Sequence, residues 1–208
     1  MAGQRAIIRP MSDINRRSTA ERIHDTALSL FASQGYEGTS LSQLAEAVGI
    51  RKPSLYNHIE SKEALFMSLV DEVEHAFFAE LDASVAAHRD ADTETRTFAL
   101  VSALSRFILE ADQGTFHKRY LLFPPRPLLE QVRQITARAE ARIDVALRTF
   151  YAQGRDEGLW QTLSEREFLD AFYVLVDGLF TERFLYSVDE YDRRVQSVWP
   201  IFWAGLSR

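Results

Sequence analysis

Residues 41–59 read LSQLAEAVGIRKPSLYNHI, and the order of residue types along them decides the fold. Leu41, Leu44, Val48 and Leu55 recur at helical spacing and read as inward-facing. Ala45 is small where two helices would cross closely. Gly49 stands where a tight turn needs a positive φ. Pro53 is tolerated only in the first turn of a helix, so a second helix starts near Arg51 or Lys52. Short helix, glycine turn and short helix make a helix-turn-helix, whose second helix is the one presented to the major groove of DNA.

The residues left on the outside of this motif suit a polyanion. Arg51 and Lys52 are cationic, and Ser54, Tyr56, Asn57 and His58 are compact donors and acceptors for phosphates or base edges. Lys62 begins the following helix and adds a cation beside that helix's free N–H groups.

Outward from the motif, the hydrophobic period stays helical and no strand-like alternation persists. Ser18 with Glu21 and Ser40 with Gln43 are capping boxes that open the first helix and the first motif helix. Gly35 is read as the stop of the first helix, and Ser61 as the cap of a long helix over 61–87. That helix carries Phe66, Val70, Val73, Phe77, Leu81 and Val85 on one side. Phe98, Val101, Leu104 and Ile108 mark a further helix, with Gly114 as its expected end. Pro124, Pro125 and Pro127 punctuate the chain, and a stripe from Leu128 to Phe150 follows. Residues 165–186 are apolar on two sides, with one stripe through Phe168, Phe172, Leu175 and Leu179. The other runs through Leu169, Tyr173, Val176, Phe180 and Phe184. Such a helix must bury both sides, one in its own core and one against a subunit partner. Pro200 is expected to kink or break the last helix, read as 191–206.

Taken together, the expectation is an all-α chain of about nine helices. Residues 1–17 form a flexible basic arm, 18–65 the DNA-binding domain and 66–208 a helical body.

The stretch RIHDTALSLFASQGYEGTSLSQLAEAVGIRKPSLYNHIESKEAL, residues 22–65, resembles the N-terminal domain of the TetR/AcrR family of regulators along nearly its whole length. The resemblance rests on Phe31, Gly35 and Tyr36, on Thr39 and Ser40, on Leu44, Ala45 and Gly49, on Leu55 and Tyr56, and on residues 62–65. It implies phosphate contacts from Thr39 or Ser40, Tyr56, His58 and Lys62, with Lys52, Ser54 and Asn57 near the groove. Two positions depart from the pattern: Arg51 replaces the usual Ser/Thr cap, and Ile59 stands where the family has Phe. The resemblance fades after about residue 70. Beyond that point it implies a helical pocket for a small hydrophobic effector and a homodimer built on a four-helix bundle from the last two helices. Its operator would be double-stranded and palindromic, and repression would be the default.

For the dimer interface, the doubly apolar segment and the last helix offer Phe168, Phe172, Leu175, Leu179, Trp199, Phe202 and Trp203. For the effector pocket, aromatic and polar-tipped residues of the body are the candidates: Phe107, Phe116, His117, Tyr120, Phe123, Tyr151, Trp160, Tyr173 and Asp177. A helical DNA-binding protein controlled by a protein partner, with no small effector, is the alternative. A well-formed apolar cavity in the body would favour the effector reading.

Bulk properties fit this reading. The net charge of −6 is uneven: residues 1–65 carry +1, with +3 in the first seventeen, and the remainder carries −7. With no cysteine, disulfides and thiolate chemistry are excluded, which fits a reducing cytoplasm. The longest dense apolar run, 171–176, is far too short to span a bilayer, and the polar, basic first residues do not read as a secretory signal. Five histidines show no metalloprotease spacing, and no phosphate loop or nucleophile elbow appears. Glu72 and His75 form an ExxH on a helix, but a carboxylate-bundle metal site needs further inward carboxylates that this helix lacks. No enzyme activity, cofactor or metal is expected.

Overall fold

The computed structural model describes residues 18–109 and 111–207. The basic arm expected over 1–17 lies outside them. Among the described residues there are nine α-helices and no strand. In chain order they are α1 (Thr19–Gly38), α2 (Leu41–Val48), α3 (Lys52–Leu55), α4 (Lys62–Ala87), α5 (Thr93–Leu109), α6 (Ala111–Leu122), α7 (Leu129–Asp156), α8 (Glu165–Leu185) and α9 (Val188–Leu206), with a 3-10 turn at Arg126–Leu128. The chain divides into two compact units, Met1–Val70 and Asp71–Arg208.

In the first unit both capping boxes form: Ser18 accepts from the Glu21 N–H, and Ser40 from the Gln43 N–H. Ser61 accepts from the Ala64 N–H at 3.0 Å and opens α4. Gly35 has φ 75° and kinks α1, which runs on for one more turn to Gly38. The core comprises Ile23, Ala27, Phe31, Leu44, Ala45, Val48, Leu55 and Leu69, all nearly inaccessible. Phe66 packs edge-on against both Phe31 and Tyr36, each at 5.2 Å between centroids.

In the second unit α5 is the hub, packed on α6, α7 and α8, while α8 also meets α7 and α9. Two expectations fail here. Gly114 does not end a helix; it is buried inside α6. Burial of Phe116, His117 and Tyr120 along α6 outweighs the penalty of about 1 kcal/mol for a helical glycine. Pro200 does not break α9, which runs from Val188 to Leu206. The proline is exposed, and Tyr191, Val195, Trp199, Trp203 and Leu206 bury one continuous stripe on either side of it.

The corner between α7 and α8 is held by Trp160, fully buried with φ 53°. Its indole Nε1–H donates to the Tyr151 carbonyl at 3.0 Å, and its own carbonyl accepts from Arg155 at 2.8 Å. The ring lies over Gly154 in the last turn of α7, stacks on Tyr151 and meets Trp203 edge-on. Trp199 in turn stacks on Trp203.

Candidate functional site

The turn between α2 and α3 is built on Gly49, at φ 78° and ψ 33°. The Ile50 N–H donates to the Ala45 carbonyl at 2.9 Å, which is the Schellman closure that lets the chain reverse after a short helix. The Arg22 guanidinium reaches across from α1 to the Val48 carbonyl and ties down the same helix end. Sequence reasoning missed Arg22, although a cation one turn into a helix facing a C-terminus is a recognisable pairing.

From this frame α3 projects a polar face. Pro53 sits in its first turn, and Arg51 at the N-cap makes no capping hydrogen bond through its side chain. Its guanidinium is therefore not spent on the helix. Arg51, Lys52, Tyr56, Asn57 and His58 are all exposed, and Ser54 is half-buried. None of these five exposed side chains has a hydrogen bond, ion pair or ring contact with a described residue. Leu55 and Ile59 face inward, so the Ile in place of Phe serves packing.

Thr39 and Ser40 separate. Thr39 is buried, and its hydroxyl donates to the carbonyls of Gly35 at 2.9 Å and Leu30 at 3.2 Å. It fastens the kinked end of α1 and is not on the outer face, which corrects its place among the phosphate contacts. Ser40 is exposed; its oxygen caps α2 while the O–H hydrogen stays free to donate. Lys62 is half-buried, with its ammonium 4.0 Å from the centre of the Tyr36 ring. The Tyr36 hydroxyl donates to Glu63 at 2.7 Å. Burial first, and then this bond, push the Tyr36 hydroxyl far above the ordinary tyrosine range, while the same bond holds the Glu63 carboxyl low.

The body contains a cavity of about 320 Å³ lined from α4, α5, α6, α7 and α8. Its walls are mainly apolar: Phe77, Leu104, Leu121, Ile143, Phe172, Val176 and Phe180. Of the nine residues expected to line the effector pocket, His117, Tyr173 and Asp177 line this cavity. Phe116, Tyr120 and Trp160 are core residues, with accessibilities of at most 1 %. Phe107 packs on Phe77 and borders a separate hollow with Arg106 and Gln113. The Tyr151 hydroxyl is spent on the Leu163 carbonyl, and Phe123 is 75 % exposed. These six lie outside the lining of this cavity, since aromatic content alone does not say which wall a ring serves.

Glu74, which sequence reasoning did not single out, is the polar centre of the cavity. It is buried, accepts from the Tyr120 hydroxyl, and lies 3.2 Å from His117 Nε2. Burial beside this carboxylate holds the Tyr120 hydroxyl far above its usual range. Opposite it, the Tyr173 hydroxyl donates to Asp144 at 2.8 Å. The Lys118 ammonium lies 4.3 Å from the centre of the Phe180 ring and donates to Thr181 at 3.2 Å. Burial lowers its pKa, and Asp177 opposes the shift.

The residues offered for a dimer interface also move. Phe168, Phe172, Leu179, Trp199 and Trp203 are buried within the single chain, so they form core; Leu175 and Phe202 are half-buried. Within the single chain both stripes of α8 find a place. One stripe fills the core, and the other, through Tyr173, Val176 and Phe180, lines the cavity. A third face is left open: Val174, Gly178, Thr181 and Leu185 on α8, and Val198, Ile201, Ala204 and Gly205 on α9. Val174 is 74 % and Ile201 76 % exposed.

Comparison with known proteins bears on both units. Residues 23–69 match the profile of the family described as bacterial regulatory proteins, tetR family. The chain is 30 % identical over 102 residues to the HTH-type transcriptional regulator TcmR of Streptomyces glaucescens, covering 49 % of this chain and 45 % of that one. It is 32 % identical over 93 residues to the biofilm operon negative transcriptional regulator IcaR of Staphylococcus epidermidis, covering 45 % and 47 %. The match thus spans about half the length of these curated relatives. Among solved structures, the fatty acid degradation regulator FadR of Bacillus halodurans superposes with a TM-score of 0.69 at 18 % identity, covering 92 % of this chain and 97 % of that one. AibR, solved with isovaleryl coenzyme A and operator DNA, gives 0.68 at 17 %, covering 88 % and 97 %. These similarities show a shared fold.

Proposed function

Because residues 23–69 match the model of the tetR family of bacterial regulatory proteins, we propose that this chain is a ligand-responsive repressor of that family. It binds a palindromic operator as a homodimer and leaves the operator when a small apolar molecule enters the body cavity. The observation that carries the DNA half is the outer face of α3: five exposed polar or cationic side chains with no partner among the described residues. Arg51 and Lys52 supply charge for phosphates, and Asn57 is the compact amide suited to a base edge. Ser40 and Lys62 join at the rim, and a homodimer puts two such faces in successive major grooves about 34–36 Å apart.

The effector half is supported by the cavity, which has the size and apolar lining of a small-molecule site. It favours an effector over control by a protein partner alone. AibR, of similar fold, was solved with both an acyl coenzyme A and DNA. Release would follow from population shift: a ligand bound better by a body conformation unfit for DNA draws the dimer into it. Because α4 runs from Lys62 at the DNA-facing end to Glu74 and Phe77 on the cavity wall, it is the element that both ligands would bias. The homodimer would form through the open face of α8 and α9, where two helices from each chain make a four-helix bundle.

The test is duplex DNA selected from a random pool, with binding followed by fluorescence anisotropy at several salt concentrations. Lys52→Ala and Arg51→Ala should each weaken binding and reduce the salt slope by about one. Unchanged slopes for both would remove α3 as the DNA-facing helix.

A further inference from the structure

The cavity holds a polar atom that the fold leaves unanswered. His117 is 5 % exposed on the cavity wall, and its Nδ1 is buried with no hydrogen-bond partner among the described residues. The other helical histidines of α4 and its exit behave differently. His75 and His88 each place Nδ1 against the carbonyl four residues back, at 2.6 and 2.9 Å. His117 forgoes that bond and turns Nε2 to Glu74.

That orientation decides the chemistry at Nδ1. Glu74 accepts from the Tyr120 hydroxyl and accepts likewise from His117, so Nε2 carries the proton of that bond, and a ring with this one proton leaves Nδ1 an acceptor. Phe77 stacks on the ring at 4.9 Å, and Phe107, Tyr120 and Phe180 surround it, so no protein donor reaches the atom. Leaving it unanswered costs free energy that a ligand can recover. The rest of the lining disfavours an anion. Glu74, Glu140 and Asp177 all line the cavity, and its one lysine, Lys118, is already engaged with Phe180 and Thr181.

Resting on the effector reading above, we infer that the cavity selects apolar molecules whose polar end donates a hydrogen bond, a hydroxyl or an N–H, to Nδ1 of His117. Carboxylates are rejected. Glu74 is the positioning residue, because it sets which nitrogen of His117 accepts.

Three probes of matched body test this by isothermal titration: 4-butylphenol, its methyl ether 4-butylanisole, and 4-butylbenzoate. The phenol should bind on the order of tenfold more tightly than the ether, the return for satisfying one buried polar atom. The benzoate should bind more weakly than the phenol. His117→Phe keeps a ring on Phe77 and removes the acceptor, so phenol and ether should become equal. Glu74→Gln can donate or accept at Nε2, which frees the tautomer and should shrink the same ratio. If the ether or the benzoate binds the unaltered protein as tightly as the phenol, or if His117→Phe keeps the preference, the inference is wrong while the effector reading stands. Phenol binding with the expected preference but no change in operator affinity would instead overturn the effector reading and leave the recognition chemistry in place. Failure of all three probes to bind would overturn both.

Discussion

Gly154→Ala sets two effects of opposite sign against each other. Gly154 lies in the last turn of α7, where alanine is favoured over glycine by about 1 kcal/mol. A Cβ there would sit 2.3 Å from Nε1 of Trp160 and 2.4–2.5 Å from two further atoms of the indole. Ordinary contact begins more than 1 Å farther out, and the indole is fully buried, so it must shift as a body. Overpacking of this kind costs roughly 1–3 kcal/mol. Breaking the Trp160–Tyr151 hydrogen bond strands the buried indole N–H and adds about 1–3 kcal/mol. The clash outweighs the propensity, and a net loss of about 1–5 kcal/mol should lower Tm by roughly 2–20 °C in a chain of this size. Thermal and urea unfolding followed by circular dichroism measures it. In a Trp160→Leu background the same alanine should cost far less, because the obstructing ring is gone. A Gly154→Ala protein as stable as the parent, or more so, would refute the reasoning.

Three further outcomes are expected. Ile201→Asp and Val174→Asp place a charge on the open face of α8 and α9 and should each shift the protein from dimer to monomer in light scattering; a retained dimer would put the interface elsewhere. Glu190 is pushed down to about 2 by hydrogen bonds first from Arg193 and then from Arg194. Its contribution is therefore full above the unfolded value of about 4.3 and fades as pH falls toward 2, so Glu190→Gln should lower the urea midpoint at pH 7 and make no difference near pH 2. Thr39→Val should destabilise the first unit by about 1–3 kcal/mol through the loss of its buried hydroxyl's hydrogen bonds, yet leave the salt slope of DNA binding unchanged, as a slope change would return Thr39 to the phosphate contacts.

Much of the first unit was legible in the sequence because its signals are local. A capping box needs two residues three apart, and the Gly49 turn needs one glycine, so Ser18, Ser40 and Gly49 could be read directly. Thr39 could not, since its neighbour Ser40 looks the same in one dimension and only the Gly35 kink decides which hydroxyl turns inward. The body was read less well for a related reason. Its helices carry apolar residues on two or three sides, and periodicity does not say whether a given side meets core, cavity or solvent. That is why Phe168 and Trp203 were offered to a partner, while Val174 and Ile201 passed unnoticed. Glu74 left a faint trace, an acid beside Val73 and Phe77 on an otherwise apolar face; its meaning depends on His117 and Tyr120, more than forty residues away.

All three tryptophans of the chain, Trp160, Trp199 and Trp203, belong to the second unit, and neighbouring rings lie 5.2 and 5.6 Å apart. Excitation passes readily among rings this close, so they emit as one chromophore. The DNA-binding unit carries none and is dark at that wavelength. Intrinsic emission therefore reports on the body alone. A shift in the colour of that emission when unlabelled operator is added would report a change in the surroundings of the body's own rings, an optical gauge of the body that needs no label.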